Sequence, residues 1–156
     1  MLSTAINLCR RVFIEPFEGY ARQLPDGRCQ AYPDPATKGP PWTIGFGTTG
    51  PDVKPGVTWS RAYAEQRCDA HLIEFALGLI EQSHALVDAT PQRFAAILSF
   101  AYNCGLRNYS ISTLKRRVDQ GNWTEASREI LKWNKAAGRV LPGLTRRRKA
   151  ESELLK

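Results

Sequence analysis

The sequence predicts an α+β fold, with an N-terminal helix, a small sheet lobe, a long connecting helix and a mainly helical C-terminal lobe. Three observations carry this. Gly and Pro crowd residues 19–56, where the β-prone runs are short and lie around Ala31-Tyr32 and from Trp42 to Phe46. A helical period follows, in which Cys68, Leu72, Phe75 and Leu79 recur at steps of four, three and four. Capping residues then punctuate the remaining chain at short intervals. At 156 residues the chain suits one domain with a real core. The expected organisation is a single domain over residues 1–156, with a sheet lobe at about 17–57 and a helical lobe at about 84–156 on which residues 1–15 pack.

Each element has a local cause. Residues 3–15 place Ile6, Cys9, Arg10 and Phe13 on one helical face, with Ser3 as N-cap and Pro16 disturbing the end. Thr58 is read as the cap of the long helix over residues 59–82. Thr90-Pro91 supplies a cap and a first-turn proline for a central helix carrying Phe94, Ile97, Leu98 and Ala101, which Gly105 stops. Residues 112–121 form a short helix. Asn122 caps another, carrying Ala126, Ile130 and Trp133 and ending at Gly138, and a last basic helix starts at about Thr145. Trp133 fits the core better than a binding face.

Composition narrows the function. Hydrophobic residues at 42% and charged residues at 24% exclude disorder as the main state. The uncharged run Phe94 to Asn103 is too short to span a bilayer, which takes about 20 residues. No secretory leader is read at the N-terminus, so synthesis in a cytoplasm is expected. Lys and Arg number 22 against 15 Asp and Glu, a net charge of +7, which favours an anionic partner without choosing among nucleic acid, membrane and wall polymer. Cys9, Cys29, Cys68 and Cys104 are widely spaced, and His71 and His84 stand alone, so no zinc site is expected and free thiols are. Gly45 to Gly50 fits a dinucleotide-binding glycine pattern by letter, but Pro51 and Pro55 follow where a helix would have to begin.

The junction of first helix and sheet lobe concentrates candidate chemistry. Glu18 closes a helical pattern beside Phe17, so its carboxyl is expected to lie against apolar surface and to serve as a proton donor. Asp34 sits in a Pro-flanked, wetter loop, suited to a carboxylate that takes a proton from water. Two carboxyls in opposed environments are what glycoside hydrolysis requires. A helix-terminal Glu and a loop Asp also occur as ordinary solvated residues.

The strings Phe17-Glu18-Gly19, Ala31-Tyr32-Pro33-Asp34, Thr43-Ile44-Gly45-Phe46-Gly47 and Asp52 to Gly56, with Ser99 to Gly105, Ser112 to Leu114, Trp133, Leu141 to Leu144 and Arg146-Arg147-Arg148, resemble the phage-type lysozyme family, glycoside hydrolase family 24. The resemblance implies a lysozyme-like fold and a muramidase. Such an enzyme cuts the β-1,4 bond between N-acetylmuramic acid and N-acetylglucosamine in bacterial peptidoglycan, with inversion, during phage lysis of the host. It implies Glu18, Asp34 and Thr43 as catalytic residues, Asn103 and Arg147 as substrate-binding residues with Arg147 paired to Glu18, and no metal or cofactor. It also implies a monomer without stable membrane insertion or a nucleic-acid partner. The enzyme would be held in the host cytoplasm and reach the wall or periplasm through a separate holin-like protein.

The spacing departs from the family's. The Asp usually follows the Glu by about nine residues and the Thr by about six more, whereas here the gaps are 16 and 9. The surplus, within residues 21–30 and 36–41, reads as loop extensions of the sheet lobe. Strict counting lands on Gly27, which keeps Asp26 and Cys29 open as alternatives to Asp34. The basic runs Lys115-Arg116-Arg117 and Arg146 to Lys149 read as solvated helix faces, with Arg146 and Arg148 as the alternative wall-adhesive pair. Two other functions compete: a lytic transglycosylase on the same bond, and a non-catalytic cationic module that binds wall polymer or nucleic acid.

Overall fold

The computed structural model describes residues 1–34 and 38–156. Ala36 and Thr37, part of the second expected loop extension, lie outside the described residues. The described chain forms two compact units, one of residues 14–71 and one of residues 1–13 with 72–156.

In the first unit, α2 (Glu15–Glu18) leads into short antiparallel strands. Strand β1 (Cys29–Gln30) pairs with β5 (Thr58–Trp59), and β2 (Tyr32–Pro33), β3 (Trp42–Ile44) and β4 (Thr48–Thr49) form a second sheet in that order. The glycine-rich run is the β3–β4 turn. Gly45, at φ +62, has room only because it lacks a side chain, since a Cβ there would lie 3.0 Å from the Cβ of Ala64. This glycine therefore serves the packing of hairpin on helix, and no dinucleotide loop is formed.

Helix α3 (Arg61–Gln82) begins in this unit and ends in the other. Its cap is Ser60, whose Oγ accepts from the Tyr63 N–H at 3.1 Å. Thr58, expected in that role, is instead paired with Gln30 in the β1–β5 ladder.

The second unit is built around α4 (Pro91–Cys104), in which every residue from Phe94 to Ala101 is buried. Helices α1 (Leu2–Cys9) and α8 (Pro142–Leu155) pack on it, α7 (Trp123–Ile130) packs on α8, and α6 (Thr113–Asp119) on α7. Each large apolar side chain buried in this way contributes on the order of 2 kcal/mol. Trp133 packs edge-on against Phe100, ring centroids 5.2 Å apart, in keeping with a core role. The caps Thr90 and Asn122 accept from the N–H of Arg93 and Glu125, as the sequence predicts, and Ser112 accepts from the Lys115 N–H. All four cysteines are free thiols.

Four boundaries differ from expectation. The first helix starts at Leu2 rather than after Ser3, and it passes through a π-turn, Arg10–Ile14, into α2. Pro16 therefore sits in the opening turn of α2, where a missing N–H costs least. A short helix, α5 (Leu106–Ser110), follows Gly105. Helix α7 stops at Ile130 rather than at Gly138. The chain then forms a hairpin, β6 (Lys135–Ala136) and β7 (Arg139–Val140), turning on Ala137 (φ 47) and Gly138 (φ 75). The last helix starts at Pro142, three residues before its expected start.

Candidate active site

Glu18, Asp34 and Thr43 all belong to the unit of residues 14–71. Glu18 is the last residue of α2. Gly19 follows at φ 77, ψ 175, a conformation that ends the helix and leaves the Glu18 side chain on its terminal turn. Glu18 is exposed rather than laid against apolar surface as expected.

Strand register brings the rest together. Thr43 lies opposite Tyr32 on one side and opposite Thr49 on the other. Side chains directly across an antiparallel ladder share a face, so Tyr32, Thr43 and Thr49 form one row. The other face carries Ile44 and Thr48, both buried, so the Thr43 row is turned away from the core of the unit. Asp34 continues from Tyr32 by two residues. Its N–H donates to the carbonyls of Gly39 (3.0 Å) and Pro41 (3.2 Å), and its carbonyl accepts from the Lys38 N–H at 2.8 Å. These bonds hold Asp34, half-buried, just beyond the end of β2.

Glu18 lies near this row. Burial first, and then the neighbouring Glu18 charge, push the Tyr32 hydroxyl above its ordinary range, with Arg22 opposing. Tyr32 thus neighbours Thr43 by register, Asp34 by sequence and Glu18 by its charge, and sequence reading treated it only as part of a motif. Period-two alternation back from Asp34 would have found it.

The competing residues are differently engaged. Asp26 is exposed and held by Arg28, whose N–H and guanidinium bond its carboxylate at 3.0 and 2.7 Å and keep it below the usual range. Cys29 is fully buried in β1, with its Sγ 3.7 Å from the carbonyl oxygen of Trp59.

Arg61, which sequence reading missed, braces the end of α2. Its guanidinium bonds Glu15 (3.1 Å) and Glu65 (2.9 Å) and lies over the rings of Tyr20 (5.3 Å) and Phe46 (5.7 Å). The Tyr20 hydroxyl donates to the Gly27 carbonyl at 3.2 Å, and burial and Cys29 push it up to about 12. Two half-exposed ion pairs and two cation–π contacts together are worth about 1–2 kcal/mol. Arg61→Leu is therefore expected to lower Tm by a few degrees in a thermal melt. Its effect on activity should exceed what that loss explains, because Glu18 is one turn from Glu15.

Asn103 and Arg147 lie in the other unit. Asn103 is exposed near the end of α4, where Gly105, not Asn103, forms the C-cap. The basic run at 146–149 is not a solvated face throughout. Arg146 and Lys149 are exposed, whereas Arg147 (3%) and Arg148 (0%) are buried. Arg147 bonds Ser99 and Glu151 through Nε, each at 3.3 Å, and the Ser99 carbonyl through Nη2. Arg148 bonds Glu151 through Nη2 at 2.8 Å, has its Nε 2.7 Å from the other carboxylate oxygen as an ion pair, and reaches the Cys104 Sγ at 3.0 Å. Burial removes Arg148 from any wall-adhesive pair. In the other run, Lys115 pairs with Asp119 on the surface of α6, while Arg116 and Arg117 bond Thr113 and Gln120.

Among the described residues, no group of His, Cys, Asp and Glu could hold a metal ion, and no helix is long and apolar enough to cross a membrane.

The chain is 41% identical over 113 residues to the endolysin of Bacillus phage B103, a match covering 72% of this chain and 42% of that protein. It therefore spans less than half the length of that relative. Two solved structures share its fold over almost its whole length. The muramidase domain of SpmX from Asticaccaulis excentricus has a TM-score of 0.76 at 29% identity, covering 97% of this chain and 93% of that one. The endolysin from Escherichia coli O157:H7 phage FAHEc1 has a TM-score of 0.76 at 27% identity, covering 99% and 92%. The family model described as phage lysozyme matches residues 17–151, which include Glu18, the whole sheet segment and the buried arginine pair, and the chain belongs to the phage lysozyme family.

Proposed function

We propose that this chain is a muramidase that hydrolyses the β-1,4 bond between N-acetylmuramic acid and N-acetylglucosamine in peptidoglycan, for phage-mediated lysis of the host cell. The observation that supports the reading is the Tyr32–Thr43 register, with Asp34 just beyond Tyr32 and the Glu18 charge acting on the Tyr32 hydroxyl, within a family-matched chain.

In this reading Glu18 gives its proton to the glycosidic oxygen as the bond to the anomeric carbon breaks. Asp34 takes a proton from a water whose oxygen forms the new bond from the opposite side of the sugar ring, and the Thr43 hydroxyl holds that water. Attack opposite the leaving group inverts the anomeric centre. Asn103 and Arg147 are proposed as substrate-binding residues on the family resemblance. The chain works as a monomer and reaches the wall after a separate holin-like protein has opened the membrane.

Digestion of purified peptidoglycan tests this. Mass spectrometry is expected to find muropeptides with new reducing ends, and NMR during the first turnovers is expected to find the inverted anomer. Chiefly anhydro-muramic products would instead identify a lytic transglycosylase, and an absence of cleavage would favour a cationic binding module.

A further inference from the structure

The net charge of +7 is unevenly distributed. From Ile130 to Ala150 the chain holds seven Lys or Arg residues and no Asp or Glu. Three of the seven are neutralised locally, Lys132 by Glu129 at 2.7 Å and Arg147 and Arg148 by the buried Glu151. The other four, Lys135, Arg139, Arg146 and Lys149, are exposed, and among the described residues none has a carboxylate partner. Arg146 and Lys149, three apart on α8, share a helix face.

The same region carries exposed apolar side chains. Every residue of the β6–β7 hairpin is exposed. Lys135 and Val140 share one of its faces and Ala136 and Arg139 the other, so neither face is packed into the core. Val140 is 55% exposed and Leu141 40%. The hairpin is tied down at its base, where the Leu141 N–H donates to the Asn134 carbonyl at 2.9 Å and the Asn134 amide reaches the Thr145 Oγ1 on α8 at 3.3 Å. An isolated two-stranded hairpin is marginally stable in water, and this one keeps its apolar side chains in solvent.

We propose that this hairpin, with the adjoining turns of α8, is a docking surface for an anionic phospholipid membrane. Four cations without partners complement a negatively charged headgroup layer, and Val140 and Leu141 supply the shallow apolar contact that a lipid interface accepts and a hydrated wall polymer does not. The interaction is peripheral and reversible. It would hold the protein at the inner membrane surface, next to the barrier it must pass, and it is independent of glycoside cleavage.

Co-sedimentation of the full chain with vesicles tests the proposal. At about 0.1 M salt the protein is expected to partition onto phosphatidylcholine vesicles containing phosphatidylglycerol and not onto pure phosphatidylcholine. At 1 M salt, where the Debye length falls from about 10 to about 3 Å, the partition should collapse. Each cation near an anionic surface is worth on the order of five-fold in partition, so K135Q/R139Q/R146Q/K149Q should bind about 100-fold or more weakly. All four side chains are exposed, and circular dichroism checks that the variant stays folded. Val140→Ser should weaken binding several-fold without changing its salt dependence. Equal binding by the quadruple variant, or no preference for the anionic vesicles, would overturn the proposal. So would charge-dependent binding to purified peptidoglycan with none to vesicles.

Discussion

Glu18→Gln is expected to remove nearly all lysis of outer-membrane-permeabilised cells while leaving Tm within a degree or two of the wild type. The carboxamide keeps the shape of the acid but has no proton to give at neutral pH, and a positioned general acid contributes about 10²–10⁴ in rate. Glu18 is exposed on the last turn of α2, so the substitution leaves the core untouched. Turbidity loss measured beside a thermal melt checks both halves of the prediction. Substantial residual lysis would reject Glu18 as the acid.

Glu151→Ala is expected to do the opposite, acting through stability. Glu151 is fully buried and accepts from Ser99 (2.6 Å), Arg147 (3.3 Å) and Arg148 (2.8 Å). Burial pushes its carboxyl up, and the two guanidiniums and Ser99 pull it back. Removing it leaves two buried guanidiniums without their shared counter-ion, a change that costs about 3–5 kcal/mol. In a domain of this size the fall in Tm is on the order of 10 °C. Glu151→Gln, which keeps an acceptor oxygen, should lose less. A melt in which Glu151→Ala shifts by only a degree or two would show that the cluster contributes little to folding.

Local physics was legible in the sequence and non-local pairing was not. Thr90 and Asn122 were readable as caps because a cap needs only its own side chain and the N–H three residues on. Thr58 has the same chemistry, but its backbone is claimed by Gln30, 28 residues earlier, and the cap moves to Ser60. Gly138 carries a positive φ that suits a helix stop and a hairpin turn equally, so the β6–β7 hairpin was read as the end of α7.

The candidate site was legible as residue types and not as surroundings. Glu18, Asp34 and Thr43 stood out through their motifs, whereas the exposure of Glu18 depends on contacts that no local pattern encodes. Three consecutive arginines point about 100° apart around a helix, so composition alone could not say that Arg147 and Arg148 turn inward while Arg146 faces solvent.

The unusual spacing leaves Asp34, Asp26 and Cys29 as the residues to separate for the proposed general base. The lytic rates of Asp34→Asn, Asp26→Asn and Cys29→Ser, measured side by side on the same permeabilised cells, test the assignment most directly. Asp34→Asn is expected to fall by about 100-fold or more, the loss expected of a positioned general base, while Asp26→Asn and Cys29→Ser keep most of their activity. Loss of lysis at Asp26 or Cys29 with Asp34→Asn still active would contradict the assignment.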